Sequence, residues 1–180
     1  MTRGIVRILK SGGVGVLPTD TIYGIVGSAL SRKAVQRIYR LRHRNTKKPM
    51  IVLIHGASGL EQFGVLLDKR IEWKLREFWP GRTSIIFPCR AKKFSYLHRG
   101  TKTVAFRVPK PKKLRELLFA TGPLVAPSAN YEGAPPAKTI REAKRYFGGA
   151  VDFYVDGGRI DRKPSSVLAF RGRKIKVIRK

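Results

Sequence analysis

Acidic residues are scarce in this 180-residue chain: 11 Asp and Glu stand against 39 Lys and Arg, a formal net charge of +28. That excess is larger than solubility requires, and it attracts polyanions such as RNA and nucleotides. Cysteine is limited to Cys89, which excludes an intrachain disulfide and a cysteine-rich zinc site. The three histidines, His43, His55 and His98, have no metal-ligand spacing, so no protein-held metal is expected. No apolar run reaches the length of a membrane span, and the N-terminal stretch has no signal-peptide core. A cytoplasmic protein without membrane association is therefore expected. A P-loop is also missing: Gly56-Ala57-Ser58-Gly59 lacks the Lys-Ser/Thr that would follow, so a nucleotide has to be held some other way. The apolar content of 42% is enough for a core, and one domain over residues 1–180 is the expectation.

The chain alternates short apolar runs with amphipathic stretches. Thr2 is placed to cap a helix carrying Ile5, Val6, Ile8 and Leu9, ended by Gly12-Gly13. Ser31 caps a second helix with Ala34, Val35, Ile38 and Leu41 at helical spacing. Ile71, Leu75 and Phe78 mark a third, and Leu114, Leu117 and Leu118 a fourth. Thr139 with Glu142 forms a capping box for a fifth. Strands are expected at Val14–Leu17, Met50–Ile54, Thr83–Phe87, Thr103–Val108, Leu124–Ala126, Val151–Val155, Ser166–Phe170 and Lys174–Ile178. The last two are joined by a tight turn at Arg171-Gly172-Arg173. Strands interleaved with helices and a closing hairpin predict an α/β fold: a twisted, open, mixed β-sheet with packed helices.

The chemistry concentrates in a few places. Leu17-Pro18-Thr19-Asp20-Thr21-Ile22-Tyr23-Gly24 packs hydroxyls, a carboxylate and a glycine into a turn after an apolar run. Arg42 and Arg44 share a face only if the helix ends near Leu41. Guanidinium forks there, with Lys48, suit phosphate oxygens, although a solvated basic face is the simpler reading. Arg107 sits in an apolar strand, where a cation needs a partner: either a structural carboxylate or a bound anion. Ser128 and Asn130 follow a strand and share a face if the chain stays extended, and Ser165-Ser166 follow Pro164. Cys89 reads as a packing residue, and no serine is placed with a histidine to suggest a covalent nucleophile.

Taken in order, Pro18-Thr19-Asp20-Thr21-Ile22-Tyr23-Gly24, Arg42-His43-Arg44, Lys48-Pro49-Met50-Ile51-Val52, Trp79-Pro80-Gly81, Thr103–Pro109, Gly122–Asn130 with Gly133, Asp156-Gly157-Gly158, Pro164-Ser165-Ser166-Val167 and Ile178-Arg179 form a specific combination. Through these residues the chain resembles the YrdC-like domain of threonylcarbamoyl-AMP synthases of the short, single-domain type. The resemblance implies a YrdC-like fold with a concave, basic cavity. It implies an enzyme that converts L-threonine, bicarbonate and ATP into L-threonylcarbamoyladenylate and pyrophosphate, with Mg²⁺ accompanying ATP. The product would feed t6A modification of tRNA through a downstream transferase complex.

Carried over by position, Thr21, Arg107, Ala126 and Ser165 correspond to threonine contacts. Arg44, Lys48, Thr103, Ser128 and Arg179 correspond to ATP contacts. Arg42, Arg44, Ser128 and Asn130 correspond to the catalytic Lys-x-Arg and Ser-x-Asn motifs. Arg42 stands in place of the usual lysine, and Leu53 stands where longer relatives often carry histidine. Two other readings remain: a YrdC-like RNA-binding or ribosome-associated protein without synthase activity, and carbamoyl-adenylate chemistry of the hydrogenase-maturation type.

Overall fold

A computed structural model describes residues 3–171 and 174–180. The proposed Thr2 cap and the Gly172-Arg173 part of the closing turn lie outside the described residues. Helix α1 (Arg3–Lys10) leads into strands β1 (Val14–Pro18) and β2 (Tyr23–Ser28), followed by α2 (Arg32–Leu41) and β3 (Val52–Leu53). A 3-10 helix (Ala57–Phe63), α3 (Lys69–Leu75), β4 (Thr83–Pro88), α4 (Ser95–His98) and β5 (Thr103–Arg107) come next. Then follow α5 (Lys112–Thr121), β6 (Leu124–Val125), α6 (Ile140–Phe147), β7 (Phe153–Tyr154), β8 (Ser166–Arg171) and β9 (Lys174–Arg179).

Among the described residues these strands form one mixed sheet in the order β7-β1-β2-β6-β3-β5-β4-β8-β9. Pairs β1–β7, β3–β5 and β4–β8 are parallel, and the remaining neighbours are antiparallel. The expected α/β class and the C-terminal hairpin are both present. None of the helices is long and apolar enough to cross a membrane, among the described residues.

Strand periodicity divides the core between the two faces of the sheet. Val16, Ile25, Val52 and Val125 join one cluster; their neighbours Leu17, Val26, Leu53 and Leu124 join the other. Leu9 of α1 and Leu114, Leu117 and Leu118 of α5 cover the second face. Ala34, Val35 and Ile38 of α2, with Leu75 of α3 and Ala143 and Phe147 of α6, cover the first. Ser31 caps α2, its hydroxyl accepting the Ala34 N–H at 3.2 Å, a contact typically worth about 1 kcal/mol. Thr139 caps α6 in the same way, but the Glu142 carboxylate accepts from Lys138 N rather than closing the reciprocal bond to Thr139.

Several elements differ from the sequence expectation: Val151–Val155 is laddered only at Phe153–Tyr154, and the 3-10 helix at Ala57–Phe63 and helix α4 were not expected. The apolar run Met50–Ile54 is laddered as a strand only at Val52–Leu53, although Ile51 O and Ile54 N still bond Ala126 N and Arg107 O. Strand β2 was not expected at all, because Gly24 and Gly27 interrupt its pattern. Gly27 is closely packed: a Cβ there would lie 3.2 Å from Ala34 Cβ, so a larger residue would press the neighbours apart by a few tenths of an ångström. Its strand pairs with β1 from Val14↔Gly27 to Pro18↔Tyr23, which makes the hydroxyl-rich segment the four-residue loop of a hairpin.

Candidate active site

The hairpin loop is self-bonded. Thr19 Oγ1 donates to Ile22 O at 2.6 Å and accepts the N–H groups of Thr21 and Ile22. This is the local side-chain-to-backbone bonding that threonine favours in turns. It frees the Thr21 hydroxyl, which meets Thr19 Oγ1 at 3.1 Å and accepts from Arg107 Nη1 at 3.2 Å. Behind the loop, Tyr23 is fully buried and ties down Asp156-Gly157-Gly158: its hydroxyl donates to Gly158 O at 2.7 Å and accepts from Gly157 N at 2.8 Å.

Strand β5 presents Thr103, Ala105 and Arg107 on the face opposite the core residues Val104 and Phe106. Arg107 is 3% exposed, and its Nη2 lies 3.2 Å from Asp20 Oδ1. That ion pair supplies the partner the sequence left open. The contact is close but poorly aligned, so Asp20 Oδ1 and Arg107 Nε both lack a hydrogen bond; Asp20 Oδ2 accepts from Lys110 N. Burial lowers the Arg107 pKa, with Asp20 opposing and Arg179 reinforcing the shift.

Helix α2 ends at Leu41, as a shared site for Arg42 and Arg44 demands. Arg42 is the C-cap, and His43 turns the chain with φ 49°. Arg42, also 3% exposed, is locked to the segment after β6: its Nε donates to Asn130 O at 3.0 Å and its Nη2 to Ser128 Oγ at 3.1 Å and Asn130 Oδ1 at 3.3 Å. Its Nη1 has no partner among the described residues. Burial, then the neighbouring Arg44, pushes the Arg42 pKa down to about 10, which leaves it cationic at neutral pH. Arg44 donates to the carbonyls of Lys48 and Pro49. Arg179, on β9, donates to Ser165 O at 2.7 Å, and Ser165 Oγ meets Ser84 Oγ at 3.0 Å. A bulge between Val167 and Leu168 sets this register, pairing Val167 with Arg179.

These pieces enclose one cavity of about 440 Å³. Thr21, Arg42, Arg44, Thr103 and Arg107 line it, as do Ala126, Ser128, Ser165 and Arg179. Four of its lining residues are arginines and none is acidic, while Ile22, Met50, Ile51 and Pro127 make part of the wall apolar. Two of the expected residues are not in the lining. Asn130 holds Arg42, and Lys48 Nζ lies 2.8 Å from Glu132 Oε1, outside the lining. Glu132, which sequence reasoning passed over, also accepts the Asn45 N–H and donates its own N–H to Arg42 O. Hydrogen bonds from Lys48 and then Asn45 bring its pKa down to about 2. Cys89 is buried, and burial raises its pKa. Among the described residues no group of three or more His, Cys, Asp or Glu could hold a metal ion.

A family model described as Telomere recombination (Sua5, YciO and YrdC) matches residues 7–180. The chain belongs to the Sua5/YciO/YrdC family. A threonylcarbamoyl-AMP synthase of Bacillus subtilis is 32% identical over 84% of this chain and 44% of its own length. A threonylcarbamoyl-AMP synthase of Stutzerimonas stutzeri is 31% identical over 91% of this chain and 89% of its own length. The crystal structure of Pyrococcus abyssi Sua5 complexed with L-threonine superposes with a TM-score of 0.89 at 27% identity, covering 98% of this chain and 53% of that one. The chain thus spans about half of the longer relatives and most of the shorter one.

Proposed function

We propose that this family member is an L-threonylcarbamoyladenylate synthase. L-threonine, bicarbonate and ATP would give L-threonylcarbamoyladenylate, pyrophosphate and water, for t6A modification of tRNA by a downstream transferase complex. The observation that carries the reading is the crowding of cations around one cavity. Burial is the main cause that lowers the pKa of Arg42, Arg179 and Arg107, and neighbouring cations add to it: Arg44 at Arg42 and Arg179, and Arg179 at Arg107. Cations held against mutual repulsion suit a ligand carrying several negative charges. The names of relatives and the threonine complex of the Sua5 neighbour point the same way.

The cavity divides by chemistry. On one side Arg107 would take the threonine carboxylate, with Thr21, Ser165 and the methyl of Ala126 around the side chain. On the other, Arg44, Thr103, Ser128 and Arg179 would receive the triphosphate, and Arg42 would be held by Asn130 near the reacting phosphorus. Lys48 would add its charge only by leaving Glu132. The threonine amine would attack the bicarbonate carbon, losing a proton as a C–O bond breaks and water departs, and an oxygen of the resulting carbamate would then displace pyrophosphate from the α-phosphate. The protein's part is positioning and charge stabilisation, without a covalent enzyme intermediate. Mg²⁺ enters as part of the ATP substrate, held by its phosphates.

Pyrophosphate release tests this reading: it should require ATP, bicarbonate and L-threonine together, and L-serine should be a poor substitute. Release that ignores threonine would reject it. The net charge of +28 favours a second reading, an RNA-binding YrdC-like protein without synthase activity.

A further inference from the structure

We propose that Glu132 is the positioning residue of the nucleotide half of the cavity: by docking the 45–48 turn, it fixes the direction of the Arg44 guanidinium. The proposal rests on the nucleotide reading given above. Glu132 joins two segments that are far apart in sequence. Its N–H donates to Arg42 O at 2.8 Å, and its carboxylate receives Lys48 Nζ at 2.8 Å and the Asn45 N–H. The turn it holds is closed internally by Lys48 N to Asn45 O at 3.1 Å and Lys47 N to Asn45 Oδ1 at 2.9 Å.

Arg44 makes no salt bridge among the described residues. Its guanidinium is aimed by two carbonyls of that same stretch, Lys48 O at 3.3 Å and Pro49 O at 3.0 Å. A guanidinium has five N–H donors in a rigid fork, so using some on carbonyls leaves others for phosphate oxygens. A turn free to shift would carry those carbonyls, and the fork with them.

The carboxylate does not oppose an incoming phosphate, because Lys48 neutralises it outside the lining. The pKa of about 2 lies below the ordinary 4.5. The tether is therefore fully present above about pH 4.5 and lost only as pH falls through about 2.

Calorimetric titration of the full chain with MgATP and, separately, with L-threonine tests the role in Glu132→Ala and Glu132→Gln. The alanine variant should weaken MgATP by about tenfold, the loss of one charge-assisted tether. It should leave L-threonine within about twofold. The glutamine variant keeps an acceptor for the Asn45 N–H but loses the Lys48 ion pair, so its MgATP affinity should fall between those of the alanine variant and the wild type. Three results would overturn the proposal: unchanged MgATP affinity in the alanine variant, equal losses for both ligands, or tighter MgATP binding in both variants. The last would make Glu132 a competitor for Lys48. Wild-type protein that binds no MgATP would remove the nucleotide reading and this role with it, whereas wild-type binding with an indifferent alanine variant removes this role alone.

Discussion

Arg44 and Arg107 face one cavity from different supports, and their substitutions should separate its two halves. Among the described residues the Arg44 guanidinium is held only by carbonyls, so Arg44→Ala should leave the fold intact and abolish product formation. Full activity in that variant would reject the nucleotide assignment. Arg107 is paired with a buried carboxylate, and truncation to alanine would strand Asp20 at a cost of about 3–5 kcal/mol. Arg107→Lys is the cleaner probe: it keeps the charge and loses the fork. The threonine KM should rise far more than the ATP KM; equal rises would count against the role. Arg107 stands out in the sequence because a cation among apolar strand residues needs an explanation. Glu132 does not, because an acid between Tyr131 and Gly133 looks like any solvated turn residue. Its meaning comes from Lys48 and Asn45, more than eighty positions away.

At the scale of elements, the site depends on how the β1–β2 hairpin loop is braced. Gly157 lies so close to that hairpin that a Cβ on it would sit 2.6 Å from Pro18 Cβ. Gly157→Ala should therefore push the Asp156–Gly158 segment off Tyr23 and lower stability by about 1–3 kcal/mol, read as a fall in the thermal midpoint. An unchanged midpoint would mean the brace is slack. Helices α1, α2, α3, α5 and α6 were legible because their apolar residues recur at helical spacing, with explicit caps at Ser31 and Thr139, whereas the short α4 and the 3-10 helix at Ala57–Phe63 were not. Strand β2 was hidden because Gly24 and Gly27 break its apolar pattern, and the close approach of Ala34 and Ile38 to Gly27 is a tertiary contact that no local pattern records. The bulge that places Arg179 beside Ser165 is likewise a matter of pairing between strands.

For the whole molecule, the mixed α/β class follows from the alternation of patterns along the chain, while the strand order does not. Parallel partners such as β3 and β5 are separated by some fifty residues, and only their contact in the fold shows that they are neighbours. The convergence of Thr21, Arg42, Arg107, Ser128 and Ser165 on one cavity is a product of that order. The +28 charge belongs to this scale too. RNA affinity, where it is found, should drop by roughly a hundredfold or more between about 50 and 200 mM salt, the signature of phosphate contacts. Salt-insensitive binding would point to a specific interface instead. The most direct test of the central claim is transfer of labelled bicarbonate into an adenylate by the purified protein with MgATP, with and without L-threonine. Label in an adenylate only when L-threonine is present is the predicted result. No labelled adenylate from folded protein, or label that appears equally without threonine, would contradict it.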